Sequence, residues 1–277
     1  MSPRRVNHAR PGSRPLGVFD AGIGGIPLAG WVRTHAPDVP VVYLGDAARR
    51  PYGPRPGAEV TRFVAEAEAF FAEQDCAAWV IACNTASVVA DGALAGRLPA
   101  VTMVDAVRAA VPDPSEGPVA VLATAGTVAS RVFLDALPDH DVHQIATEEL
   151  LRLGETDSSD VAAIERLSAE ALAQAAVLGC GSAVLACTDF TVLLEPMQRV
   201  NPGITLIDPL EAAGELAIQL LDQLDARGGT PAERAPDHVF LTGPHPVDVR
   251  RYAADRFALD LPDPEIVSLP DVPVRTR

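Results

Sequence analysis

The chain has 277 residues, 48% of them apolar and 21% charged, with a formal net charge of −15. Those values exclude extended disorder and leave room for one large or two small folded domains. An acidic chain repels phosphate backbones, which argues against a nucleic-acid partner. Because all 22 basic residues are Arg, a lysine Schiff base to pyridoxal phosphate and a P-loop lysine are excluded as well.

Residues 1–15 carry four Arg and no apolar run, which predicts a disordered tail and not a signal peptide. Leu16–Phe19 reads as a buried strand ending in a glycine turn, Asp20–Gly25, with a helix following through Trp31 to His35. The glycines do not make a dinucleotide fingerprint, because position 27 is Pro. Val39–Leu44 is the next strand. Gly57–Gln74 carries Val60, Phe63, Val64, Ala67, Phe70 and Phe71 at helical spacing. Strands are predicted at Trp79–Ala82 and Val101–Val104, then, after a Pro-rich linker at Pro112–Pro118, at Val119–Ala123, Val184–Ala186 and Thr205–Ile207. A second crossing of the chain is expected near Pro209–Gly214. Short buried strands separated by helices mean α/β architecture with parallel sheets covered on both faces.

The chain matches itself at an offset of 104. Cys76 falls on Cys180 and Cys83 on Cys187; Arg62, Ala65, Glu66 and Ala67 fall on Arg166, Ala169, Glu170 and Ala171; Asp20 falls on Thr124. Two similar α/β domains follow, pseudo-symmetric, with the active site in the cleft between them: residues 16–107 with 213–277 in one, 108–212 in the other. In such sheets ligands sit beyond the carboxyl ends of the strands, where Asp20, Cys83, Thr124 and Cys187 all lie. A thiol from each side of a cleft suits inversion of a stereocentre. One thiolate removes a proton from one face of a carbon and the opposite thiol delivers one to the other, with no cofactor. Cys76 and Cys180 precede their strands with no polar motif around them and read as buried packing residues.

Other uses of four cysteines fit less well. They are too sparse for a disulfide scaffold, and a spacing of seven is not that of a zinc site, so no metal is expected. A Cys–His hydrolase would need a distant His such as His143. No apolar run reaches membrane-spanning length. A cytoplasmic protein with reduced thiols is expected.

Several segments together resemble the aspartate/glutamate racemase superfamily, its glutamate racemases most of all. They are Gly17–Gly25, Tyr43-Leu-Gly-Asp46, Arg49 with Pro51-Tyr-Gly-Pro54, Val80-Ile-Ala-Cys-Asn-Thr-Ala86, Ala123–Val128 with Ser130, Val184-Leu-Ala-Cys-Thr188, Leu206-Ile-Asp208 and Phe240-Leu-Thr-Gly243. The resemblance implies cofactor-independent racemisation of a small amino acid, glutamate foremost, in support of peptidoglycan synthesis, by a homodimer. It implies Cys83 and Cys187 as the acid/base pair and Asp20 as the carboxylate beside Cys83. Tyr52, Gly53, Asn84, Thr85, Thr124 and Thr188 are implied as substrate ligands. Two positions depart from the pattern. Ala21 stands where the family has Ser, so a substrate-facing hydroxyl is missing. Asp189 stands where glutamate racemases have His, as an acidic base partner for Cys187 and a neighbour that would repel a side-chain carboxylate. The family's Glu near the second half-site falls on Glu148, Glu149 or Glu155. Racemisation of aspartate or another amino acid, and a binding protein with a decayed site, are the competing readings.

Overall fold

The computed structural model describes residues 13–90, 98–201 and 203–270. Its strands are β1 (Leu16–Asp20), β2 (Val41–Gly45), β3 (Ala78–Ile81), β4 (Ala100–Thr102), β5 (Val119–Ala123), β6 (Val142–Ala146), β7 (Ser182–Ala186), β8 (Thr205–Ile207), β9 (His238–Leu241) and β10 (Glu265–Ile266). They form two sheets, ordered β10-β9-β2-β1-β3-β4 and β6-β5-β7-β8. Every strand pair is parallel. The winding β2-β1-β3-β4 recurs as β6-β5-β7-β8, which is the pseudo-symmetry that the internal repeat predicts.

Strand register refines that repeat. The Asp46 N–H donates to the Asp20 carbonyl at 2.9 Å, and the equivalent Thr147 N–H donates to the Ala123 carbonyl at 3.0 Å. Asp20 is therefore the counterpart of Ala123, and Thr124 lies one residue further on. The second half carries one extra residue between its first and third strands: Val18 pairs with Val80, 62 residues on, while Leu122 pairs with Leu185, 63 residues on.

Helices α1 (Ile26–His35), α2 (Gly57–Glu73), α3 (Asn84–Ala90) and α4 (Met103–Ala110) lie in the first half of the chain. They are followed by α5 (Ala125–Ser130), α6 (Val132–Ala136), α7 (Glu148–Glu155), α8 (Val161–Val177), α9 (Leu194–Arg199), α10 (Leu210–Gln223) and α11 (Val249–Phe257). The expected apolar stripe of α2 is buried in one piece against the first sheet, among Phe19, Trp79 and Phe240. Each large side chain so buried stabilises by about 1.5–3 kcal/mol. Helices α1, α10 and α11 cover the opposite face. Helix α4 serves both sheets, since Met103 and Ala106 join the first core while Val104 and Val107 join the second.

The expected strand at Val101–Val104 stops at Thr102. Its hydroxyl accepts from the Asp105 N–H at 3.1 Å, and the Asp105 carboxylate accepts from the Thr102 N–H at 3.0 Å. That reciprocal cap starts α4 two residues early. The Pro-rich linker holds a short 3-10 turn, Pro114–Glu116. Of the expected tail, residues 1–12 lie outside the described residues. Order begins before residue 15, because the Ser13 hydroxyl donates to Asp38 at 3.1 Å and the Arg14 N–H to the Ala226 carbonyl at 2.9 Å. Among the described residues no helix is long and apolar enough to cross a membrane.

Candidate active site

The carboxyl ends of both sheets open on one cavity of about 460 Å³. Asp20, Ala21, Tyr52, Gly53, Cys83, Thr85, Thr124, Cys187, Thr188 and Asp189 all line it, though these residues come from loops of both halves of the chain. Parallel strands place successive loop starts at one edge, so residues just past β1, β3, β5 and β7 converge. Gly24 lets the two halves approach. A Cβ there would come within 2.5 Å of the Thr188 hydroxyl, so the glycine turn serves close contact and not a phosphate.

In the first half-site the Asp20 carboxylate is buried, accepting from the Gly22 N–H at 3.2 Å and the Thr188 hydroxyl at 3.3 Å. Burial raises its pKa to about 6 against these hydrogen bonds. Cys83 follows β3 at the start of α3. Burial, then the charge of Asp20, pushes its thiol up, while the Ala86 and Ala21 N–H groups favour the thiolate.

In the second half-site the Cys187 thiol donates to Asp189 at 3.5 Å. Burial and then Asp189 push this thiol well up. Asp189, half-buried at the cavity wall, is raised to about 8 by burial and by the charges of Asp20 and Glu155. Both groups are pushed up, and each acts on the other: the Asp189 charge raises the thiol, while the hydrogen bond from the thiol favours the carboxylate. The charge of Cys83 contributes to the shift of Cys187, so the two thiols are electrostatic neighbours.

Other expected residues take different positions. The Tyr52 hydroxyl donates to Asp46, so it is committed within the protein. Asp46 also accepts from Arg49 at 2.7 Å and from Thr242 at 2.6 Å, and Arg49 pairs with Glu66. The motif from Asp46 to Pro54 therefore builds the cavity floor as a buried polar network. Asn84 does not line the main cavity. It borders an adjoining gap beside Cys187 and Thr188, with both amide atoms buried and without a protein partner. Glu148, Glu149 and Glu155 all line the cavity from α7. Glu148 accepts from the Ala125 N–H at 2.8 Å, and Glu155 pairs with Arg50 at 2.6 Å. His143 lies on β6 against Asp141 at 3.4 Å and does not line the cavity.

Arg50, Arg152 and His245 line the cavity too, and no local sequence pattern marks them. Arg50 adjoins the Pro51-Tyr-Gly-Pro54 segment, but nothing local shows where its side chain goes. His245 follows β9, far along the chain. Burial and the charge of Arg50 hold it neutral, with a pKa lowered to about 4. Among the described residues no cluster of His, Cys, Asp and Glu is arranged to hold a metal ion.

A family model, Asp/Glu/Hydantoin racemase, matches residues 28–217. The glutamate racemase of Pediococcus pentosaceus is 32% identical over 242 residues, 83% of this chain and 90% of its own length. That of Beutenbergia cavernae is 33% identical over 259 residues, covering 86% of this chain and 88% of its own. A solved glutamate racemase from Francisella tularensis, in complex with D-glutamate, superposes with a TM-score of 0.80 at 26% identity, over 92% of this chain and 98% of that one. A glutamate racemase isoform from Bacillus anthracis gives 0.82 at 26% identity, over 92% and 97%.

The chain belongs to the Asp/Glu/Hydantoin racemase family: it is an isomerase. Within that family, these comparisons liken it to glutamate racemases.

Proposed function

We propose that this protein interconverts L- and D-glutamate without a cofactor, with Cys83 and Cys187 as its acid/base pair. The observation that carries this reading is the pairing of the half-sites. Each thiol follows the third strand of its repeat, each faces the same cavity, and each has a carboxylate at hand. Cys187 passes its proton to Asp189 and the resulting thiolate takes the Cα proton. Cys83 delivers its own proton to the opposite face, and the roles reverse for the other enantiomer. Both thiols are pushed up, first by burial and then by the neighbouring carboxylates. The substrate's ammonium group is the cation that would lower them on binding. Thr85, at the cavity wall, supplies a hydroxyl donor for the α-carboxylate and the carbanion it stabilises.

A lysine-free chain cannot hold pyridoxal phosphate as a Schiff base, so proton transfer rests on side chains alone. We place the enzyme in the cytoplasm as a homodimer, supplying D-glutamate to peptidoglycan synthesis. Two features favour a second reading, racemisation of aspartate or another amino acid: the carboxylate of Asp189 in the cavity and the absent hydroxyl at Ala21. The test is proton NMR in D₂O with each enantiomer of glutamate and of aspartate, with no added cofactor. Exchange of the glutamate Cα proton from both enantiomers is expected. Exchange confined to aspartate would replace the substrate assignment, and no exchange with either amino acid would overturn it.

A further inference from the structure

We infer that Arg50 selects the substrate by taking the carboxylate of an acidic side chain, an inference that builds on the amino-acid racemase reading above. The cavity wall carries the acidic residues Asp20, Glu148, Glu149, Glu155 and Asp189. Such a wall repels a dicarboxylic amino acid unless a cation meets it. Arg50 and Arg152 are the arginines among its described lining residues. Arg152 is exposed on α7, whereas the Arg50 side chain keeps 19% of its surface and lies along the glycine turn, its Cδ 3.8 Å from where a Gly22 Cβ would be. That path carries the guanidinium across the cleft, from the loop after β2 to α7 of the other half.

A carboxylate already sits on it. Glu155 accepts from Nη1 at 2.6 Å, which fixes the head group at the cavity wall. A guanidinium has five N–H donors in a planar fork, so further donors remain for a second carboxylate. The charge of Arg50 also reaches the groups around it. It opposes the rise of Asp189 and helps keep His245 neutral. Arg50 thus stands beside the glycine turn at Gly22 and within electrostatic reach of Asp189 in the second half-site. A substrate carboxylate held there would have its repulsion from Asp189 offset by the charge of Arg50.

The test is equilibrium binding by calorimetry, using racemic glutamate and aspartate and their neutral isosteres, racemic glutamine and asparagine, so that turnover does not change composition. Wild type, Arg50→Gln and Arg50→Lys are compared, with thermal melting as the fold control. Wild type should bind at least one acid more tightly than its amide. Arg50→Gln should weaken that acid roughly 10- to 100-fold, the loss of a hydrogen bond to a charged group, and leave the amide within about 2-fold; Arg50→Lys should retain part of the preference. The inference is overturned if wild type shows no preference for an acid, or if Arg50→Gln keeps the wild-type ratio of acid to amide. Preferential acid binding that collapses in Arg50→Gln, together with no Cα-proton exchange in wild type, would sink the racemase reading alone.

Discussion

Cys187 and Asp189 form the least ordinary contact in the molecule, a thiol donating to a carboxylate that burial has already driven up toward the thiol range. Cys83→Ser and Cys187→Ser should each lower racemisation by roughly 10²–10⁴-fold, the usual share of a general acid or base. Cys76→Ser and Cys180→Ser, buried in the two cores, should alter melting temperature and little else. Chiral analysis of the four variants checks this. The carboxylates also make a stability prediction. Asp20 and Asp189 have folded pKa values of about 6 and about 8 against an ordinary 3.8. Their contribution is therefore complete below pH about 4 and is lost as pH rises through those values. Denaturant melts of Asp189→Asn from pH 5 to 9 should show a flatter decline than wild type. An identical decline would remove Asp189 as its source. Residue types at strand ends could be read from sequence, because chemistry at β1, β3 and β7 is announced by local motif. Arg50 and His245 could not, since their place depends on side-chain direction and on a return of the chain to the first sheet.

At the scale of elements, the site is set by how closely loops approach. A Cβ on Gly126, in α5, would lie 2.5 Å from the Gly53 carbonyl, so α5 of one half touches the loop after β2 of the other through a glycine. Gly126→Ala must push the two apart. A displacement of that order at a reacting geometry costs around 10²-fold in rate, with the two cores untouched. Activity lost at near-normal melting temperature is the expected result; a collapse in stability would mean the contact supports the fold itself. The same scale explains which strands were hidden. β6 reads Val142-His-Gln-Ile-Ala146 and is only partly buried, so it lacks the apolar run that marks β5 and β7. β10 is two exposed residues at the sheet edge. Helix α2, with its unbroken stripe against a sheet, was legible to within a residue.

At the scale of the whole molecule, ion pairs among the described residues span the cleft at two places: Arg50 with Glu155, and Arg256 of α11 with Asp157, at 2.6 Å each. We take residues 16–107 with 213–277 as one unit and 108–212 as the other, with α4 packed between their cores. The Arg256–Asp157 pair is partly exposed, and such pairs contribute about 0–1 kcal/mol. A double-mutant cycle with Arg256→Ala and Asp157→Ala should give a coupling in that range. A coupling of several kcal/mol would show that the halves depend on this pair to stay docked. The repeat was visible in sequence because both thiols and one helix face keep a common offset. Its one-residue slip at Asp20 was not, because only strand pairing shows which backbone groups correspond.

That slip leaves the two sides of the cavity unlike: Asp20 faces no carboxylate at Ala123, and the carboxylate that accepts from Cys187 comes from a 3-10 turn instead of a strand end. A racemase with unlike sides still works on mirror images, and mirror images have equal free energy in water. Whatever the asymmetry does to each thiol, the ratio kcat/KM must therefore be the same in both directions. The difference between the half-sites can show itself only as a matched change in kcat and KM, one enantiomer held more tightly and turned over more slowly than the other.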